Sequence, residues 1–126
     1  MRAILDTSVV LASDAAPIPG ELAISAATMA ELHFGVLIAK DEQARADRLR
    51  RLSALSKRFD PLPVDDAVAA SYGELAAAVA RSGRQPRART MDLLIAATAH
   101  AHDARLYTRN IEDFTSLRNF IEVDEA

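Results

Sequence analysis

The sequence predicts an α/β fold, a parallel sheet sandwiched between helices, in one domain over residues 1–126. Three observations predict it. Short apolar runs of strand length alternate with longer helical patterns, and strands separated by helices pair in parallel. The first run stops abruptly at Asp6, as a buried strand stops at the rim of a sheet. A late helix, residues 91–102, is apolar almost all round, which assigns it to a covered layer. The length of 126 residues suits about one domain.

The elements follow in order. Residues 2–5 form the first strand, and Thr7 and Ser8 are placed to cap a helical turn through Val9, Val10 and Leu11. Residues 15–20 form a loop by their Pro and Gly content. Residues 22–25 make a second strand. The helix over 28–39 sets Leu32, Gly35 and Ile38 on one face. Residues 41–58 are amphipathic: Leu49, Leu52, Leu55 and the following Phe59 recur at helical spacing, with arginines on the other face. Residues 61–64 make a third strand, confined to an edge by Pro61 and Pro63. Asp65 or Asp66 caps the next helix, whose stripe is Val68, Tyr72, Leu75, Ala76 and Val79, and Gly83 closes it. A basic loop over 84–89 leads to Thr90, the cap of the apolar helix. Residues 105–108 and 120–123 are the last two strands, joined through Asp113 and Phe114.

Composition excludes several functions. Acids outnumber bases 18 to 15, for a net charge of −3, which argues against nucleic-acid binding by bulk positive charge. The absence of cysteine removes a disulfide scaffold, a thiolate zinc site and a cysteine nucleophile, and it suits the cytoplasm. No run approaches the 18 or so apolar residues of a membrane span. The opening turns charged at Asp6 after three apolar residues, unlike a secretory leader.

Four acids stand where chemistry is expected. Asp6 ends the first strand, and open α/β sheets bind ligands beyond the carboxyl ends of their strands; the same position suits a helix N-cap. Glu31 follows Thr28 by three residues, which is also a capping-box spacing. Asp92 lies in the first turn of the apolar helix, where an acid complements the helix dipole but needs a partner if it turns inward. Asp113 follows the fourth strand, in a segment that also reads as a surface turn around Asn110. Together they set one acid near the top of each of several strand–helix units. Such carboxylates converge in ionised form only around a cation. All-oxygen ligands without Cys or suitably spaced His favour Mg²⁺, or Mn²⁺ in its place, over zinc.

The matching motifs are Leu5-Asp6-Thr7-Ser8, Thr28-Met29-Ala30-Glu31-Leu32 with Gly35, Asp92-Leu93-Leu94-Ile95-Ala96-Ala97-Thr98-Ala99, and Thr108-Arg109-Asn110 with Asp113-Phe114. In this order and spacing the chain resembles the PIN-domain ribonucleases, specifically the VapC-type toxins of type II toxin–antitoxin pairs. The resemblance implies a PIN-like three-layer α/β/α sandwich with five parallel strands in the order 3-2-1-4-5. It implies metal binding by Asp6 and Asp92 as the principal pair, with Glu31 and Asp113 completing the set and Glu112 competing with Asp113. Thr7 or Ser8 would orient a carboxylate or a water, with Asn110 in support. The implied reaction is Mg²⁺-dependent hydrolysis of RNA phosphodiesters by a metal-activated water, leaving 5′-phosphate and 3′-hydroxyl ends. His33, His100 and His102 read as helix residues outside it.

The resemblance also implies a cognate VapB-type antitoxin, RNA as substrate, no membrane, and a homodimer or a toxin–antitoxin hetero-oligomer. Exposed apolar faces over 28–39 and 41–59 would offer the antitoxin a groove; the same faces also read as core. For the RNA, Arg84, Arg87 and Arg89 lie in an acid-free stretch just before Asp92, placed for phosphate contacts or for a solvated loop. The competing reading is a non-catalytic PIN-fold module that binds protein or RNA. A dehalogenase-like phosphatase would want an acid where Ser8 stands, and a receiver domain a lysine after a late strand, whereas Lys40 and Lys57 are the only two.

Overall fold

The computed structural model describes residues 2–12, 14 and 16–126. Met1, and Ala15 at the head of the expected loop, lie outside the described residues. In chain order the elements are β1 (Arg2–Leu5), α1 (Thr7–Val10), β2 (Glu21–Ala23), α2 (Ala26–Leu37), α3 (Glu42–Arg58), α4 (Asp66–Arg81), a 3₁₀ turn (Pro86–Arg89), α5 (Thr90–Ala101), β3 (Arg105–Thr108), a second 3₁₀ turn (Ile111–Leu117) and β4 (Val123–Glu125).

The sheet is wholly parallel in the order β2-β1-β3-β4. The order reverses at β1 and β3, so the crevice of a doubly wound sheet opens between their carboxyl ends. The pairs Ile4↔Leu106 and Leu5↔Tyr107 fix the register. One residue on from Leu5 and Tyr107, Asp6 and Thr108 leave the sheet side by side.

Alternation along the strands divides the core in two. Ile4 and Leu106 face a large cluster built with Val68, Leu75 and Val79 of α4, Leu93 and Ile95 of α5, and Phe114. Leu5 faces the other way, against Val9 and Ile24, with Tyr107 and Phe59 packed on them. A third cluster, Leu32, Val36 and Leu52, joins α2 to α3. The apolar helix is buried as its composition predicts: five consecutive residues, Ile95 to Ala99, have essentially no exposure.

The fold class agrees with the sequence, and the strand count does not. Among the described residues four strands form, not five. Residues 61–64 contribute a single parallel bridge, Ser25↔Leu62. Leu62 donates to the Ile24 carbonyl and accepts from the Ala26 amide, each at 2.9 Å. The prolines on either side have no amide hydrogen with which to extend the ladder. The last strand starts at Val123 instead of residue 120, because the amides of Phe120 and Ile121 both bond the Leu117 carbonyl and close the preceding turn. The capping box is also replaced. Ser25 caps α2 by accepting from the Ala27 amide, so α2 begins at Ala26 and Thr28 lies buried inside it. Nor do Thr7, Ser8 or Thr90 cap a helix through their side chains; Asp41 and Asp65 do.

Candidate active site

Asp6 is the best-determined member of the site. It is buried, and its backbone enters α1 without its carboxylate capping that helix. Oδ2 instead accepts from Ser8 Oγ and from Thr108 Oγ1, both at 2.8 Å. Two donors fix the orientation of the carboxylate. Oδ1 has no hydrogen-bond partner among the described residues. Ser8 Oγ also accepts from the Arg109 amide at 3.0 Å, and Thr108 Oγ1 from the Asn110 amide at 3.0 Å. The two hydroxyls therefore tie the end of β1 to the loop after β3.

Glu31 projects from the second turn of α2. Its Oε1 accepts from Thr7 Oγ1 at 2.6 Å, and Thr7 Oγ1 lies 3.2 Å from Thr28 Oγ1. The pair of neighbours anticipated from the sequence thus divides its work: Thr7 orients Glu31 and Ser8 orients Asp6.

Asp92 sits in the first turn of α5, half buried. Burial raises its pKa, the charge of Asp6 raises it further, and Asp113 and Glu31 add smaller pushes. Arg89 pulls the other way, and the result is about 6. One carboxyl thus feels all three of the other acids. Arg89 Nη2 lies 3.8 Å from Asp92 Oδ2 and 3.3 Å from Asp113 Oδ1, and it also donates to the Asp113 carbonyl. Arg89 is the cation that joins the start of α5 to the turn carrying Asp113. Of the neighbours Glu112 and Asp113, it is Asp113 whose charge bears on Asp92.

Among the described residues, no three Asp, Glu or His side chains form an assembled metal cage. The four acids share a field more than a coordination sphere. The donor set is nevertheless chemically consistent. It is all oxygen, as Mg²⁺ and Mn²⁺ require, and it is held at a net negative charge that a cation would relieve.

The remaining sequence candidates are placed as follows. Asn110 is exposed and takes part through its backbone, its carbonyl accepting from the Asp113 amide at 2.9 Å. Arg84 and Arg87 are exposed, and their side chains have no partner among the described residues. His100 near the end of α5 and His102 just past it lie away from Asp92, roughly 12 and 15 Å along the axis at 1.5 Å per residue. His100 bonds Ser71 at 2.8 Å, and His102 lies 3.0 Å from Arg2. A concavity of about 580 Å³ around His100, Arg105 and Phe120 contains none of the four acids. Charge convergence, more than cavity size, identifies the site.

Thr108 was missed as a site residue. It is fully buried and gives Asp6 one of its two donors. A polar residue ending an apolar run, one strand over from Asp6, was the available signal.

Comparison with known proteins agrees with this geometry. The family model described as PIN domain matches residues 3–118. The chain is 38% identical over 127 residues to Ribonuclease VapC5 of Mycobacterium tuberculosis, covering 96% of this chain and 91% of that one. Among solved structures, the VapBC-5 toxin–antitoxin system of M. tuberculosis contains a chain that superposes with a TM-score of 0.84 at 38% identity, over 98% of this chain and 96% of that one. VapBC2 from Rickettsia felis, bound to a DNA fragment from its promoter, gives 0.77 at 25% identity, over 99% and 98%. A fold that reverses at β1 and β3, acids gathered at that reversal, and a relative alike along almost its whole length have one common explanation: the chain belongs to the PIN-domain family, in its VapC group.

Proposed function

We propose that this protein is a metal-dependent endoribonuclease toxin, controlled by a cognate VapB-type antitoxin. The observation that carries the reading is the arrival of four acids from four separate segments, Asp6, Glu31, Asp92 and Asp113, in one electrostatic field at the switch point. Relatives named as VapC ribonucleases and neighbours solved as VapBC complexes support it.

Asp6 and Asp92 would hold Mg²⁺, or Mn²⁺, with Glu31 and Asp113 completing the set. A divalent ion held there would supply a water nucleophile at neutral pH and charge neutralisation for the attacked phosphate. The chain's own residues do the positioning. Ser8 and Thr108 fix Oδ2 of Asp6 and leave Oδ1 to face a ligand. Thr7 fixes Glu31. Arg89 keeps Asp113 beside Asp92. Asp92 must be ionised to act, so activity falls as pH drops through its pKa region.

The antitoxin would cover apolar side chains that the fold leaves outside. Phe34 and Leu37 on α2, Ile38 at its C-terminal cap and Leu49 on α3 are each half or more exposed, as suits an amphipathic partner segment. A homodimer or a toxin–antitoxin hetero-oligomer is the expected assembly. No helix among the described residues is long and apolar enough to cross a membrane, and a cysteine-free RNA-cutting chain fits the cytoplasm.

The test is cleavage of cellular RNA with Mg²⁺ against EDTA, for the wild type, Asp6→Ala and Asp92→Ala. Metal-dependent cleavage lost in both variants is expected. Undiminished cleavage by either one would reject the site.

A further inference from the structure

A second feature borders the acids at Glu31. A groove of about 370 Å³ begins at Thr7 and Glu31 and runs between α2 and α3. Its apolar lining is Leu11, Leu32 and Gly35, and its α3 side carries Arg48 and Arg51. The size falls within the roughly 300–1,000 Å³ of small-ligand sites. Both arginines are exposed. Arg48 Nη1 donates to the Gly35 carbonyl at 2.6 Å, which steadies its guanidinium against α2. A guanidinium has about five N–H donors, so most of its fork stays available. Arg51 has no ion-pair or hydrogen-bond partner among the described residues.

We propose that this groove carries a single-stranded RNA segment flanking the scissile phosphate, with Arg48 and Arg51 on its phosphates and a base over Leu11, Leu32 and Gly35. Charge selects the occupant. A strand crossing the acid cluster meets repulsion at every phosphate except one neutralised by a cation. It therefore needs fixed positive charge on its flanks. Arg89 stands beside Asp92 and Asp113. Arg48 and Arg51 line the groove that Thr7 and Glu31 also line. Arginine forks match phosphate geometry, and an apolar floor accepts any base face without reading its sequence. This inference rests on the ribonuclease reading for its substrate and adds the path of the strand.

The test is fluorescence anisotropy of a short labelled single-stranded RNA of mixed sequence with the full chain in EDTA, across a range of salt. The variant is Arg48→Ala with Arg51→Ala. The charge-matched control is Arg50→Ala with Arg118→Ala, and Arg48→Lys with Arg51→Lys is the rescue. The alanine pair should weaken binding about tenfold or more, as loss of charged hydrogen bonds does. It should also flatten the salt slope by about 0.7 per arginine. The control should stay within about twofold of wild type, and the lysine pair should recover the slope. Equal affinity for the alanine pair and the control overturns the proposal. So does an alanine pair that keeps its RNA affinity but escapes inhibition by the co-expressed antitoxin, because the groove is then a protein dock. Cleavage by the wild type in Mg²⁺ is scored separately. If it is absent while the EDTA result holds, the ribonuclease reading fails and the RNA path stands.

Discussion

Asp92→Asn should stabilise the protein at neutral pH, although it damages the active site. In the folded chain the Asp92 carboxyl titrates near 6 because burial and the charges of Asp6, Asp113 and Glu31 outweigh Arg89. Its ordinary value is 3.8. At about 1.36 kcal/mol per pH unit, the ionised form is penalised by at most about 3 kcal/mol. The side chain is still 36% exposed, and solvent screening reduces this to about 1–2 kcal/mol. An ionised acid in a first helical turn returns about 0.3–1 kcal/mol, which asparagine forgoes. The net gain is about 1 kcal/mol, or roughly 3–5 °C in Tm for a chain of this size. The sign follows from proton uptake: between pH 3.8 and 6 the folded state holds a proton that the unfolded state has lost. The penalty on the wild type is therefore full above pH 6, shrinks as pH falls through that window and vanishes below 3.8. Thermal unfolding in EDTA at pH 7.5, 5 and 3.5 checks this. Saturating Mg²⁺ should raise the wild-type Tm and erase the variant's advantage. A variant less stable at pH 7.5, or a gain that persists at pH 3.5, would refute the reasoning.

Other expectations concern neighbouring residues. Thr108→Val leaves Asp6 Oδ2 with one donor; we expect a loss of about 1–3 kcal/mol in urea unfolding, together with a clear drop in cleavage. Arg89→Ala removes the opposing charge acting on Asp92, so the acid limb of the pH–rate profile should move to higher pH. Leu106→Ala opens a cavity under α4 and α5 and should cost about 2–5 kcal/mol, with metal dependence unchanged in whatever protein remains folded. Leu62→Pro deletes the amide bonded to Ile24; a lower Tm is expected, and an unchanged Tm would show that the bridge contributes nothing.

The legible parts of the fold were those decided by local pattern. β1 could be read because its apolar run ends on Asp6, and α5 because it is apolar all round. Boundaries set by tertiary hydrogen bonds were not legible. Ser25 and Thr28 are both good N-caps by type, and the bridge to Leu62 selects Ser25. Residues 61–64 have strand-like side chains, but pairing depends on amides that the prolines lack. At the site, the acids were visible as residues each following a strand or opening a helix. Their supports depended on cross-chain neighbours: Thr108 is 102 residues from Asp6. Arg89 was grouped with Arg84 and Arg87 by sequence proximity, whereas its side chain reaches Asp113, 24 residues away.

The single rung at Leu62 also bears on how copies of this chain meet. An open sheet edge is a template on which another chain can add a strand. On the β2 side Leu62, held between two prolines, pairs with Ser25 just past that three-residue strand, and on the other side β4 is three residues long. Edges this short give a neighbouring chain few successive amides and carbonyls to continue. The sheet is thereby blunted against edge-to-edge growth, and the large apolar side chains left outside, Phe34, Leu37 and Leu49 among them, lie on helix surfaces instead.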